Sequence, residues 1–340
     1  MEYRPLGKSG LLVSNLCLGT MIFGEESTRG TDQKSATRII HRFLDAGGNH
    51  IDTANVYAGG RAEEIVGAAI KDRRDRAILA TKVRHKTSQN PNDQGLSRHH
   101  MIGSVEASLR RLQTDVIDLL IAHAWDPLTP LEETLRAFDD LVAAGKVRYI
   151  GVSNFKAWQL MKALALSDAH GWSRFTAAQY QYSLVERNIE HEISEVCVNE
   201  GVGLTPWGPL GGGFLSGKYR PGDRPSEGRL AMMADETEES WLRRSLPRNW
   251  AILQVVDEVA RARKASHSQV ALAWLLHQPA VCSVIIGART PEQLEDNLAV
   301  EQLSLSKDEL ARLSKASAPD EPYPYRFLKL YGSRDHKPTA

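Results

Sequence analysis

The sequence predicts an α/β fold of the (β/α)8 barrel class, with an N-terminal β-hairpin and a C-terminal loop. Three observations lead there. Eight short apolar runs recur along the chain with helical patterns between them, the alternation of a parallel sheet wrapped by helices. Polar or charged residues, Asp52, Lys82 and His123, end three of those runs, as expected where strands open onto one face of a barrel. The 340 residues suffice for one large barrel, and the chain is expected to form a single domain over residues 1–340.

Residues 1–14 read as two short strands around the turn Gly7-Lys8-Ser9-Gly10, a hairpin pattern. Barrel strands are expected at 16–19, 49–53, 77–83, 116–123, 148–153, 176–181, 202–207 and 283–287. Asp32 opens a helix that reaches Asp45 and ends at Gly47-Gly48. Further helical patterns cover 62–71, 99–112, 158–166 and 189–200. Thr129 offers an N-cap with Pro130 at the first helical position. The strand spacing breaks once, between the seventh and eighth strands, where a glycine-rich loop, a polar stretch at 221–237 and two helical patterns (249–265 and 268–277) intervene. The tail, 317–340, with Pro319, Pro322, Pro324 and the aromatics Tyr323, Tyr325, Phe327 and Tyr331, reads as a packed C-terminal loop.

Lys plus Arg balance Asp plus Glu at 42 each, so no long-range field draws nucleic acid or an anionic membrane surface. The acidic cluster 235–239 reads as a solvated loop. Three cysteines lie far apart in apolar settings, which predicts no disulfide framework and a reducing, cytoplasmic compartment. No spacing of Cys and His suggests a zinc site, no secretory signal pattern opens the chain, and no apolar stretch approaches a membrane span. The expected partner is a small molecule. Neither monomer nor assembly is favoured.

Asp52, Tyr57, Lys82 and His123 fall at or just beyond strand ends. A buried Lys or Asp is costly unless paired, and together the four supply complementary chemistry. Tyr57 is a general acid able to protonate a carbonyl oxygen. Lys82 supplies a cation beside that phenol, Asp52 an anion to hold the cation, and His123 a neutral hydrogen-bond donor. Taken singly, Tyr57 could be packing, Asp52 a turn cap and His123 a core histidine. Lys82, following Ala80-Thr81 in an apolar strand, must find a partner.

The segment Asn49-His50-Ile51-Asp52-Thr53-Ala54-Asn55-Val56-Tyr57 resembles the "F-D-T-A-x-x-Y" signature of the aldo-keto reductase family. Ala80-Thr81-Lys82, Asp118 to His123, and Gly151-Val152-Ser153-Asn154-Phe155 resemble three more of its motifs, in family order, and the likeness runs from about Tyr3 to about Leu313. It implies a barrel, a bound nicotinamide dinucleotide, and a catalytic tetrad of Asp52, Tyr57, Lys82 and His123. It also implies an aldehyde or ketone reduced reversibly to an alcohol. There is no G-x-G-x-x-G after a strand, so the cofactor is expected across the barrel's C-terminal face and not in a Rossmann site. On the family pattern Gly19, Thr20, Met21 and Asp52 line the nicotinamide side, while Ser153, Asn154 and Gln179 hold the carboxamide. For Ser153 and Asn154, turn capping is the alternative. Trp207 matches the stacking aromatic, followed by Gly208 where many relatives carry Ser.

The loop Gly211-Gly212-Gly213-Phe214-Leu215-Ser216-Gly217-Lys218 satisfies G-x-x-x-x-G-K, yet Tyr219 stands where a P-loop needs Ser or Thr. Its expected use resembles the family's: Leu210, the loop amides and Lys218 over a pyrophosphate. Near the end Thr290, Pro291 and Gln293 mark a helix start, an anion site in itself. With Gly287, Arg289, Gln293, Asp296 and Asn297 it would hold the adenosine end. Arg289 favours NADPH. The absence of the family's Lys at Gly287 and Arg at Gln293 leaves room for some NADH use. Phe23, Tyr57, His123 and Trp125 are candidates for a pocket suited to a bulky or cyclic carbonyl, with packing the alternative for Phe23 and Trp125. The run from Trp207 to Lys218 also resembles the branch that includes potassium-channel β-subunits, and there the alternative is a cofactor-binding regulatory subunit.

Overall fold

The computed structural model describes residues 1–26 and 30–332. Strands β1 (Tyr3–Pro5) and β2 (Leu12–Ser14) pair antiparallel as the predicted hairpin. The other strands are β3 (Leu16–Gly19), β4 (His50–Asp52), β5 (Ile78–Val83), β6 (Ile117–Ala122), β7 (Val147–Ser153), β8 (Phe175–Gln179), β9 (Gly203–Leu204) and β10 (Val284–Gly287). These eight run parallel in the order β10-β3-β4-β5-β6-β7-β8-β9. Backbone bonds join the two outermost strands: Leu204 N donates to Ala280 O at 2.7 Å, Cys282 N to Leu204 O at 2.9 Å and Ile285 N to Pro206 O at 2.9 Å. The sheet is thereby curled into the (β/α)8 arrangement.

The helices are α1 (Gln33–Asp45), α2 (Arg61–Ile70), α3 (Arg98–Leu112), α4 (Leu131–Ala143), α5 (Ala157–His170) and α6 (Ile193–Glu200). They continue with α7 (Arg229–Met232), α8 (Trp241–Arg244), α9 (Pro247–Arg263), α10 (His267–Leu276), α11 (Pro291–Leu298), α12 (Lys307–Ala316) and α13 (Tyr325–Tyr331). Among the described residues no helix is long and apolar enough to cross a membrane.

The strands are buried on both faces, as parallel strands are. Outward residues such as Leu79, Leu120 and Val152 pack against the helices in the larger core. Inward ones, Ala80, Leu119, Ile121 and Ala177, form a second core into which the hairpin inserts Leu6 and Val13. The hairpin is held there by Arg4, whose guanidinium donates to Leu276 O at 2.7 Å and Val281 O at 3.1 Å. One end of the barrel is therefore filled by apolar side chains, which leaves the C-terminal ends of the strands for polar ones.

Several local expectations change. Thr129 is not the cap of α4: its hydroxyl donates to Asp126 Oδ2 at 2.6 Å, and extended Pro130 takes the cap position. The predicted helix at 189–200 divides into a turn at Asn188–His191 and α6, broken at Glu192. Strand β9 is short because Pro206 has no N–H to continue a ladder. The tail is not a fully packed loop. It contains α13, and Phe327, Leu328, Leu330 and Tyr331 on that helix are exposed; its last residues, 333–340, lie outside the described residues.

Candidate active site

Parallel register brings alternate residues of neighbouring strands to one level inside the barrel. Asp52 pairs with Ala80, Lys82 with Ile121, and Ser153 with Gln179. His123 extends the ladder one step past β6, its N–H donating to Val83 O at 3.0 Å. Asp52, Lys82, His123, Ser153 and Gln179 thus gather at the open end.

Lys82, 1 % exposed, has a partner for each ammonium proton. It donates to Asp52 Oδ1 in a short ion pair, to Thr53 O at 2.8 Å and to the Tyr57 hydroxyl at 3.1 Å. Its Nζ also lies 4.8 Å from the centre of the Tyr57 ring. The second carboxylate oxygen of Asp52 accepts from Gln179 Nε2 at 2.8 Å. Gln179 O in turn accepts from Ser153 Oγ at 2.8 Å. Asn154 Nδ2 donates to Ser153 Oγ at 2.9 Å and to His123 O at 3.0 Å. Every buried charge here is paired, as burial requires.

Burial works against the Lys82 charge, but Asp52 and Tyr57 outweigh it and hold the ammonium above the ordinary lysine value. Burial pushes the Tyr57 phenol up, and the Lys82 cation pulls against this without reversing it. At this depth desolvation is the larger effect, so the cation expected beside the phenol does not leave it with a lowered pKa. Burial, with the charge of Lys82 beside it, holds His123 well below the ordinary histidine value. The site accordingly offers a protonated phenol on a charged lysine and a neutral imidazole, with the Tyr57 and His123 rings 5.9 Å apart.

These residues open into a cavity of about 1550 Å³, larger than the roughly 300–1,000 Å³ of most small-ligand pockets. Its walls include Gly19, Thr20, Met21, Asp52, Ser153, Asn154 and Gln179 at the tetrad and Trp207, Gly208, Leu210 and Lys218 along the glycine-rich loop. Gly287, Arg289, Gln293, Asp296 and Asn297 line it at α11. Thr290 caps α11 as expected, whereas Gln293 Oε1 accepts from Arg289 N at 2.8 Å, one residue beyond a strict capping box. Asp296 is occupied by Ser266 Oγ at 3.0 Å and Gln269 Nε2 at 2.8 Å.

Two candidates lie elsewhere. Phe23 is fully buried in the larger core, and Trp125 packs on Phe155 and Trp158 with ring centres 5.1 and 6.0 Å away; neither lines the cavity. Arg229 and Glu239, absent from the sequence-based set, do line it and form a short ion pair. Glu239 is 3 % exposed, so the reading of 235–239 as a solvated loop fails at that residue. Its partner lies ten positions earlier on α7, a four-residue helix too short to show a periodic pattern. Gly208 sits at φ 65°, which favours glycine, and a Cβ there would also stand 3.0 Å from Glu239 Oε1.

The cavity fits a dinucleotide by its donor set. Lys218, Arg229 and Arg289 face it with the N-terminus of α11, an anion-binding combination. Lys218 has no acidic partner among the described residues; partial burial and the nearby Arg289 hold it below the ordinary lysine value. Among the described residues no cluster of His, Cys, Asp or Glu is arranged to hold a metal ion.

Residues 15–318 match the sequence pattern of the aldo/keto reductase family. The chain is 39 % identical to the uncharacterized oxidoreductase YrpG of Bacillus subtilis, over 92 % of this chain and 95 % of that one. It is 36 % identical to norsolorinic acid reductase of Aspergillus flavus, over 96 % and 84 %. It is also 38 % identical to a probable voltage-gated potassium channel subunit beta of Arabidopsis thaliana, over 88 % and 90 %.

Proposed function

The chain belongs to the aldo/keto reductase family and is an oxidoreductase, and on that premise we propose that it reduces an aldehyde or ketone to an alcohol with NADPH. The observation that carries the proposal is the Tyr57 hydroxyl, 3.1 Å from a Lys82 already held by Asp52, at the edge of the large cavity. NADPH, when bound, supplies the hydride. Tyr57 gives its phenolic proton to the substrate oxygen, and Lys82 stabilises the negative charge this leaves on the phenol. Neutral His123 orients the same oxygen by donating a hydrogen bond. In alcohol oxidation the proton returns to Tyr57.

Asn154 and Gln179, each keeping a side-chain oxygen outside the bonds described, would hold the carboxamide with Ser153, and Trp207 would stack on the ring. Lys218 and Arg229 would take the pyrophosphate. Arg289 at the start of α11 supports NADPH over NADH by offering a cation to the 2′-phosphate. The proposal extends to a bulky or cyclic carbonyl, and similarity to a protein named norsolorinic acid reductase supports reduction of an organic substrate. Met21, Ile22, Trp207 and Met232 form the apolar wall for it. Three buried thiols, none in a disulfide, support a reducing, cytoplasmic setting.

Tyr57→Phe tests the assignment. Carbonyl-dependent NADPH oxidation is expected to disappear while cofactor binding, followed by tryptophan fluorescence, persists; unchanged turnover would overturn it. Similarity to a potassium channel subunit beta favours a second reading, a cofactor-binding regulatory subunit. A panel of aldehydes, quinones and cyclic ketones separates the two, since tight NADPH binding without turnover of any of them would favour the regulatory reading.

A further inference from the structure

Behind the tetrad, on the outer face of β5, lies a fully buried carboxylate that the proposed chemistry does not use. Glu63, 0 % exposed, accepts from Thr81 Oγ1 at 2.5 Å through one oxygen. Through the other it accepts from Arg111 Nε at 2.7 Å, and Arg111 Nη2 completes the ion pair at 2.6 Å. Arg111 Nη2 also donates to Ser108 Oγ at 3.2 Å. The three residues belong to three elements: Glu63 to the first turn of α2, Thr81 to β5 and Arg111 to α3.

The network borders the segments that carry both Lys82 and Tyr57. Thr81 precedes Lys82, so strand alternation sends their side chains to opposite faces of β5. Helix α2 begins directly after the turn that carries Tyr57. That turn is unusual, with Ala58, Gly59 and Gly60 following one another at φ of 47°, 64° and 96°. Left-handed geometry costs an L-residue such as Ala58 roughly 1–2 kcal/mol, and such conformations persist only where their surroundings over-determine them. Gly60, at the cap position of α2, supplies no side-chain hydrogen bond. Arg111 lies against it instead, with Cδ 2.9 Å from where a Gly60 Cβ would stand.

We propose that Thr81, Glu63 and Arg111 form a positioning network for Tyr57, fixing the strained turn and the start of α2 against β5 so that the phenol meets Lys82. The inference rests on the carbonyl-reductase reading for its kinetic consequence but not for its structural one. A buried carboxylate held by two hydrogen bonds and an ion pair from two elements is stiff, and a displacement of about 1 Å at a reacting group can cost up to about 100-fold in rate.

The test compares Thr81→Val, which keeps the shape and removes the hydroxyl, with Thr81→Ser, which restores the hydroxyl. In Thr81→Val, kcat is expected to fall roughly tenfold with KM and the NADPH dissociation constant little changed. Ionisation of Tyr57, followed by ultraviolet difference spectroscopy against Tyr57→Phe, is expected to move to higher pH as the phenol loses its contact with Lys82. Thr81→Ser returns both readouts toward the parent. A lower thermal midpoint in Thr81→Val with kcat and Tyr57 ionisation unmoved would overturn the proposal and leave the network purely structural. If Thr81→Val does not fold, Glu63→Gln, whose amide can still meet both neighbours without the charge, is read in the same way. If the parent protein reduces no carbonyl, the carbonyl-reductase reading fails, and the Tyr57 ionisation alone decides the positioning role.

Discussion

At the scale of single residues, burial separates two roles that turnover alone would confuse. Tyr57 is half-buried and takes one hydrogen bond from Lys82, which keeps Asp52 and Thr53 O if the phenol is lost. Lys82 is different, because removing it strands a carboxylate that is 3 % exposed with Gln179 as its remaining side-chain partner among the described residues. Leaving a buried charge unpaired costs about 3–5 kcal/mol. We therefore predict that Lys82→Met abolishes carbonyl reduction and lowers the unfolding free energy by that order, whereas Tyr57→Phe abolishes reduction with little loss of stability. Denaturant titration of both variants checks this; equal stabilities would mean that the Lys82–Asp52 pair is solvated. The same reasoning covers Gly208. A Cβ there would crowd the Glu239 carboxylate, itself held by Arg229, so the two features belong together.

At the scale of elements, the site depends on how closely α2 approaches its neighbours. Gly67, in the middle of α2, faces the backbone of α3: a Cβ there would lie 2.5 Å from both the carbonyl carbon and oxygen of Leu112. Helix propensity favours Ala over Gly by about 1 kcal/mol, but overpacking against rigid backbone costs about 1–3 kcal/mol. Sterics win, and Gly67→Ala is predicted to lower the thermal midpoint. Gly103 in α3, with open space around its missing Cβ, is the internal control, and Gly103→Ala should raise the midpoint. If both variants shift it upward, α2 and α3 are not in contact as described. The strands and most helices were legible in the sequence because apolar periodicity is a local signal, as were Asp52, Lys82 and His123, polar residues where buried strands end. What escaped was set by distant partners. Thr129 fails as a cap because Asp126 takes its hydroxyl, and Glu239 is buried because Arg229 reaches it from α7. Phe23 gives no sequence signal that distinguishes core from pocket. Helix α12 lies outside the predicted elements although Ser306 and Glu309 form a capping box, a pattern the sequence does display.

At the scale of the whole molecule, a barrel filled with side chains places titratable groups where water cannot follow. His50 shares the inward phase of β4 with Asp52 and is 1 % exposed. Ser283 Oγ donates to Ser14 O at 2.6 Å, so at 2.9 Å from His50 Nδ1 it must accept the imidazole proton. That leaves Nε2 as a buried acceptor without a partner. A second proton on the ring would have nowhere to bond, and burial lowers the His50 pKa from 6.5 to about 4. The unfolded chain thus takes up a proton that the folded barrel refuses. Above about pH 6.5 both states are neutral and the stability contribution is fully present; it is lost as pH falls from there toward about 4. The total loss is on the order of 3 kcal/mol at 1.36 kcal/mol per unit, and His123, also held low, adds to it with the same sign. Stability measured from about pH 7 down to about pH 5 should therefore decline before most carboxylates titrate, and His50→Asn should flatten that decline. An unchanged slope in the variant would show that His50 is not the source of the acid sensitivity and leave it to His123 and other groups.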